Sequence, residues 1–324
     1  MSLNKRDITV LMPAYNAAPY IGMAIESILA QTFTDFEFLI VNDGSKDNTL
    51  EIIQLYKDPR IKLINQQNKG LIDTLNDSIK IAEGKYIARM DADDICLPHR
   101  LQVEYDFLEA NPDYVLVGSD ADIIDKDGNF LLKLTPVAYE HDEIVARVDE
   151  KCPFNHPSVM FKKQAVIDAG YYPKNALSFE DHLLWKEMLM IGKVKNLNEV
   201  LVHYRFNPES VTIDEKWRGK EFVEIRKRSI HNGTVTEADG NRLKEIIAGQ
   251  NLAEYKQASY YALVGKKYLW NNPNGKLARQ HFVEAIKHYP GNKESYILYL
   301  FSYLPASIRR GLYKLLKSKE GATI

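Results

Sequence analysis

Between Ile8 and about Leu134 short apolar runs alternate with stretches of helical periodicity, and this alternation constrains the fold more than any other feature of the chain. Runs near Ile8 to Met12, Phe36 to Val41, Ile61 to Ile64, Tyr86 to Met90 and Tyr114 to Gly118 read as strands. The intervening stretches from Tyr20 to Ala30, Thr49 to Tyr56, Leu71 to Ala82 and Leu97 to Leu108 read as helices. In the first of them Ile21, Ala24, Ile25 and Ile28 share one face. The expected architecture is α/β: a Rossmann-like mixed, mainly parallel sheet flanked by helices on both faces. Ligands of such sheets sit in the crevice beyond the carboxyl ends of the strands.

Three strand ends carry polar clusters. Pro13-Ala14-Tyr15-Asn16 follows the first strand, Asn42-Asp43-Gly44-Ser45 the second, and Asp91-Ala92-Asp93-Asp94 the fourth. Each has a plain structural explanation, because Pro-Asn and Asp-Gly-Ser are turn formers and an acid can cap a helix beginning near Leu97. One cap needs one acid, however, and here three carboxylates fall within four positions. Such a negative site is hard to stabilise without a cation, and its hard oxygen ligands suit Mg2+ or Mn2+. The set matches the needs of a nucleoside diphosphate: Tyr15 to lie along a base, Asp43 to accept from a ring N–H, and a metal at Asp93 to neutralise a pyrophosphate. Neither a G-x-G-x-x-G nor a G-x-x-x-x-G-K-[ST] motif is present.

The 324 residues suffice for one large or two ordinary domains, and the net charge of -2 offers no global field to nucleic acid or other polyanions. Cys96 and Cys152 are too few for a disulfide framework or a zinc site, which fits a reducing compartment. The polar start and the absence of a spanning apolar run predict a cytoplasmic protein.

Beyond Gly118, Asp127-Gly128 between two apolar runs predicts a hairpin, residues 138–148 a helix, and Ser158 to Phe161 a strand. His156 reads as a positioned loop residue, with no nucleophile beside it. Ser178 is expected to cap a helix whose first turn carries Glu180 and Asp181, and one of these acids, held in a fixed direction, suits a general base. Trp185 is expected in the core or on an acceptor wall. Two short strands, Val194 to Leu197 and Val200 to Tyr204, precede a change to helical sequence, and the boundary is placed at residue 214.

Pro13-Ala14-Tyr15-Asn16, Val41-Asn42-Asp43-Gly44-Ser45, Asn68-Lys69-Gly70, Asp91-Ala92-Asp93-Asp94, His156-Pro157-Ser158, Glu180-Asp181 and Tyr204-Arg205 occur in this order. In this the chain resembles family 2 glycosyltransferases of the GT-A fold, over about residues 6–213. The resemblance implies an inverting transferase that moves a sugar from a nucleotide donor, expected to be a UDP-sugar, to a hydroxyl of a glycan or lipid-linked acceptor in cell-surface polysaccharide synthesis. It implies that Pro13, Ala14, Tyr15, Asn16 and Asp43 line the base pocket and that Asp91 lies toward the ribose. Asp93 would bind the divalent ion, Asp181 would be the base, and Glu180 would lie near the acceptor. Lys69 stands where some relatives offer an arginine and is a candidate donor contact. The histidine that many relatives carry three residues beyond the Tyr-Arg pair is missing from Asn207 to Ser210. Asp94 remains as helix cap or support.

Two other readings compete. A nucleotidyltransferase would share the sheet and acids but needs a glycine-rich basic loop after the first strand; Pro13 to Pro19 has none. A catalytically silent sugar-nucleotide sensor would not need Asp91, Asp93 and Asp181 together. In residues 214–324 the spacing Gly265-x2-Tyr268, Ala278-x3-Phe282 and Pro290 resembles one tetratricopeptide unit, and helix packing explains it equally well. Near the end Ile308, Leu312, Leu315 and Leu316 share a helical face beside Arg309, Arg310, Lys314, Lys317 and Lys319. That helix is expected to dock on the catalytic domain or to touch the inner face of an anionic membrane. The helical region is also where homodimer contacts are expected.

Overall fold

A computed structural model describes residues 6–210, 213, 218–250, 255–271, 273–305, 307–309 and 311. The N-terminal alternation is realised as β1 (Ile8–Ala14), α1 (Ile21–Leu29), β2 (Phe36–Asp43), α2 (Thr49–Leu55), β3 (Ile61–Gln66), α3 (Leu71–Ile81) and β4 (Tyr86–Arg89). Every residue of β1, β2 and β4 is buried, because helices cover both faces of a parallel sheet and the strands therefore read as continuous apolar runs. Ile21, Ala24, Ile25 and Ile28 form the buried face of α1, as the periodicity predicts.

Next come β5 (Ile95–Cys96), α4 (Arg100–Ala110), β6 (Tyr114–Ile124), β7 (Phe130–Leu134), α5 (His141–Arg147), β8 (Met160–Lys162), α6 (Lys163–Asp168), α7 (Glu180–Met188) and β9 (Lys193–Arg205). The sheet runs β3-β2-β1-β4-β8-β6-β9-β5, with β7 paired to β6. β1 pairs in parallel with β2 and β4, and β2 with β3. β8 enters antiparallel to β4 and β6. The fold is thus the mixed α/β sheet expected, and the carboxyl ends of β1, β2 and β4 open on one edge.

Several local expectations differ from the structure. The helix expected from Leu97 begins at Arg100, because Ile95 and Cys96 are drawn into antiparallel pairing with His203 and Val202 of β9. Its N-cap is His99, without a side-chain cap bond, so Asp94 does not cap it. The strand expected from Ser158 starts later: residues His156–Ser158 make a 3-10 turn before β8. The two short strands expected between Val194 and Tyr204 are one, β9. The hairpin at Asp127-Gly128 is present, closed by Gly128 N–H donating to the Asp125 carbonyl.

The chain divides into two compact units. The first comprises Met1–Asp122, Leu134–Tyr204 and Lys220–Ile246. The second comprises Ile123–Lys133, Arg205–Gly219 and Ile247–Ile324. Residue 214, where the sequence places a boundary, lies outside the described residues, as do Arg310, Leu312, Lys314, Leu315, Leu316, Lys317 and Lys319 of the basic helix. The remaining helices are α8 (Gly219–Asn232), α9 (Glu237–Ala248), α10 (Lys256–Trp270), α11 (Gly275–His288) and α12 (Lys293–Phe301). In the second unit α10 and α11 pack so closely at Gly265 that an added Cβ would meet the Phe282 ring at 2.8 Å. The tetratricopeptide-like spacing is therefore satisfied by this one helix pair. Among the described residues no helix is long and apolar enough to cross a membrane.

Candidate functional site

The loops after β1 and β2 are tied to each other. Pro13 and Ala14 end β1 buried in the sheet, whereas the Tyr15 ring is 48% exposed. Asn16 adopts a left-handed conformation, φ 51°, which asparagine tolerates better than most residues. Its backbone N–H donates to Ser45 Oγ (3.0 Å), and its Oδ1 accepts from Lys46 N–H (2.8 Å). Ala17 N–H donates to Thr49 Oγ1 and Ala18 N–H to Asp47 Oδ2, so α2 is anchored to the same loop. Tyr15 is left on the rim, where a flat ligand can lie against it.

Asp43 is buried and organises the turn that follows β3. Its Oδ1 accepts from Gln66 Nε2 (2.8 Å) and from the backbone N–H of Lys69 (2.9 Å); its Oδ2 accepts from Gly70 N–H (3.0 Å). A carboxylate offers about four acceptor positions, so Oδ2 retains room for one more donor. Gly44 lies at φ 70°, and a Cβ there would meet Asn68 N at 2.6 Å, so only glycine lets this turn close. The Lys69 ammonium is directed to Asp77 Oδ2 of α3 at 3.1 Å, with both side chains about half exposed.

After β4 the chain folds the three acids together. Asp91, Asp93 and Asp94 each present a carboxylate oxygen within 4.8 Å of the others. Three hard oxygen donors without thiolate or imidazole fit Mg2+ or Mn2+. Asp91 also forms an ion pair with the Arg89 guanidinium, which is buried at the end of β4. The loop rests on Arg100, itself fully buried, whose Nη2 donates to the carbonyls of Arg89 (2.9 Å) and Val159 (3.1 Å) while Nε binds Glu104.

The head of α7 brings two more acids, Glu180 and Asp181. Ser178 does not cap this helix: it lies at φ 72°, the N-cap is Phe179, and no side chain makes the cap bond. Asp181 is partly exposed and held from two sides, with His182 N–H donating to Oδ1 (2.7 Å) and the Cys152 thiol to Oδ2 (3.7 Å). Glu180 is buried, and burial first, then the charge of Asp181, raises its carboxyl to about 7. Arg89 acts in the opposite sense on Glu180, so the buried guanidinium acts on both groups of acids.

Between them stands an aromatic wall. His156 Nε2 lies 2.8 Å from the Tyr172 hydroxyl. Burial, with Arg89 adding to it, pushes the imidazole well below its ordinary range, and burial lifts the Tyr172 phenol well above its own. Of the two places expected for Trp185, the core and an acceptor wall, the structure gives the core: it is 0% exposed and packs edge-on against Phe154, His156 and Tyr172 at ring distances of 5.8–6.1 Å. A ring enclosed in this way cannot touch an acceptor, and it fixes the wall from behind.

Thus the loops after β1 and β2 are bonded to each other and Asp91 joins Asp93 and Asp94 after β4, while the Lys69 ammonium pairs with Asp77 and Trp185 lies in the core. Sequence reasoning passed over Arg89, Arg100, Cys152 and Tyr172. A signal existed for Arg89: a cation inside the buried run Tyr86-Ile87-Ala88-Arg89-Met90 needs a partner, and Asp91 is the nearest acid in sequence.

The family model Glycosyl transferase family 2 matches residues 9–169. An uncharacterized glycosyltransferase of Methanocaldococcus jannaschii is 35% identical over 209 residues, 63% of this chain and 72% of that protein. The amylovoran biosynthesis glycosyltransferase AmsE of Erwinia amylovora is 32% identical over 215 residues, 64% of this chain and 80% of its own. Another relative, from Rickettsia bellii, is much longer, and the matched stretch is 29% of its length. Among solved structures, S. aureus TarS 1-349 in complex with UDP-GlcNAc superposes with a TM-score of 0.54 at 16% identity, covering 90% of this chain and 91% of that one. The mannosyltransferase PcManGT from Pyrobaculum calidifontis, in complex with GDP-Man and Mn2+, gives 0.54 at 16% identity over 95% and 84% of the two chains. At such identities the structures show a shared GT-A fold, and together with the sequence relatives they lead to one conclusion: the chain belongs to glycosyl transferase family 2.

Proposed function

We propose that this chain transfers a sugar, with inversion, from a UDP-sugar to a hydroxyl of a glycan or lipid-linked acceptor in polysaccharide synthesis. The observation that supports the reading is the Asp91-Asp93-Asp94 cluster at the end of β4, with the buried Arg89 acting electrostatically on both Asp91 and Glu180 and with the loops after β1 and β2 bonded to each other in the same unit. The names of the relatives support the class of product, and the UDP-GlcNAc bound to TarS supports the class of donor.

Tyr15 gives the base a face, and the open position on Asp43 Oδ2 accepts from the ring N–H of a uracil. Asp91, steadied by Arg89, lies toward the ribose. Asp93, beside Asp91 and Asp94, would hold a divalent ion, which when bound would offset the charge that grows on the departing diphosphate. Asp181, aimed by the His182 N–H and the Cys152 thiol, takes the proton of the acceptor hydroxyl. The hydroxyl oxygen then bonds to the anomeric carbon, the bond from that carbon to the phosphate oxygen breaks, and its electron pair leaves with UDP. Glu180, buried beside the base, shapes the acceptor side together with the His156–Tyr172 wall.

Donor turnover across UDP-, GDP- and dTDP-sugars, measured by nucleotide release, tests the reading. Asp181→Asn is expected to keep donor affinity and lose roughly a hundred- to ten-thousand-fold in transfer rate, the usual worth of a positioned base. Transfer by Asp181→Asn at the wild-type rate would remove Asp181 from this role.

A further inference from the structure

The second unit contains a cleft of about 550 Å3 built from residues that the transfer reaction does not use. Lys126 and Asp127 approach from the turn between β6 and β7, Tyr261 from α10, and Lys276, Arg279 and Glu284 from α11; Tyr299 and Tyr303 close the far side. Its size falls within the few hundred to about a thousand Å3 of sites that take a small molecule or a short chain segment.

The composition of the wall narrows the class of ligand. Val283 is the one aliphatic side chain in it, so a lipid tail finds little surface to bury against. Aromatic area is plentiful: Tyr303 is 60% exposed, its ring edge-on to Tyr299 at 5.5 Å with the two hydroxyls 2.9 Å apart. Tyrosine offers a flat apolar face and a polar tip, which is what a pyranose requires, since it has C–H groups on its faces and hydroxyls around its edge.

Charge adds a second requirement. The two acids of the cleft are engaged by lysines, Asp127 by Lys126 at 2.9 Å and Glu284 by Lys287 at 2.7 Å. No carboxylate of the described residues pairs with Lys276 or Arg279. The Arg279 guanidinium lies 4.5 Å over the Tyr303 ring, held by a bond from Nη1 to the Ser302 carbonyl (3.1 Å). It is thus fixed in direction while its charge remains uncompensated, an arrangement suited to a planar carboxylate. Two cations do not make the long basic track that nucleic acid needs.

We propose that this cleft is a second saccharide site, which takes a short acidic glycan segment with sugar rings against the tyrosines and a carboxylate toward Lys276 and Arg279. The choice of a glycan over an acidic peptide rests on the transferase reading; the choice of an anion rests on the cleft.

Calorimetric titration of the full chain with trigalacturonate, maltotriose and hexaglutamate tests the proposal. Trigalacturonate is expected to bind with a Kd on the order of millimolar or tighter, and Lys276→Glu and Tyr303→Ala, both at exposed positions, to weaken it by about ten-fold or more each. Maltotriose should bind more weakly and hexaglutamate not at all. Absence of trigalacturonate binding, equal binding by both variants, or equal binding of hexaglutamate would overturn the proposal. Nucleotide release by the wild-type chain separates the two readings. Turnover without trigalacturonate binding refutes the cleft alone; binding with no turnover of any sugar nucleotide refutes the transferase reading alone.

Discussion

Glu180 and Asp181 are neighbours in sequence, yet their surroundings separate them. Asp181 is partly exposed, and both of its oxygens accept from protein donors. Glu180 is buried, and its Oε2 meets no hydrogen-bond donor. Burial and the adjacent Asp181 favour the protonated form of Glu180, moving it from an ordinary 4.5 to about 7. Between those values the native state holds a proton that the unfolded chain releases. This contribution to stability is therefore complete below about 4.5 and is lost as pH rises through about 7. Glu180→Gln keeps the shape without the titration. Its melting temperature relative to wild type should rise as buffers move from about pH 5 to about pH 8. Thermal denaturation at both pH values checks this, and a constant difference would mean that Glu180 does not titrate in that window.

At the scale of elements the acidic loop depends on a residue outside it. Arg100, in the first turn of α4, binds the carbonyl that ends β4, the carbonyl of Val159 just before β8, and the carboxylate of Glu104 one turn on. All of this is shielded from water, and burial lifts the Glu104 carboxyl to about 7 even with the guanidinium beside it. Arg100→Leu would strand the Arg89 carbonyl and a buried acid, while the Val159 carbonyl would keep the Arg89 backbone N–H, and removal of one partner from a buried ion pair costs about 3–5 kcal/mol. Urea unfolding is expected to show a loss of that order; a loss confined to a few tenths would assign the support of the loop to other contacts. Arg100 could not be recognised in the sequence because its partners come from β4, the approach to β8 and its own helix. The strand ends could, because buried parallel strands leave continuous apolar runs and the polar residues after them stand out. The same long-range pairing bears on why α4 begins at Arg100 and not at Leu97: His203 and Val202, about a hundred residues away, take Ile95 and Cys96 into the sheet, and the Leu97 N–H still donates to the Leu201 carbonyl. A tryptophan bound for the core and one bound for an acceptor wall are alike in sequence, and only the ring cluster around Trp185 distinguishes them.

Over the whole molecule the proposed donor residues, Pro13 to Asn16, Asp43, Asp91 and Asp93, fall in the first unit, and so does Asp181. Donor binding should thus stabilise the core made by β1, β2 and β4 and the helices on them, and should be read on that transition of a two-unit chain, not on a single global one. A ligand at about a hundred times its Kd that binds only the native state adds about 2.7 kcal/mol. For a body of roughly 150–250 residues each kcal/mol raises the midpoint by about 2–4 °C. UDP with Mn2+ is therefore expected to raise the first-unit transition by several degrees, and UDP in EDTA by less, because the loops after β1 and β2 still hold the base while the pyrophosphate is left beside three carboxylates. Asp93→Ala should show only the smaller rise whether Mn2+ or EDTA is present, since Asp91 is engaged by Arg89 and two acids do not replace three. Calorimetric scans of both chains decide the matter: an Mn2+-dependent rise of equal size in Asp93→Ala would move the ion to other ligands, and equal rises for wild type with and without EDTA would make donor binding independent of metal.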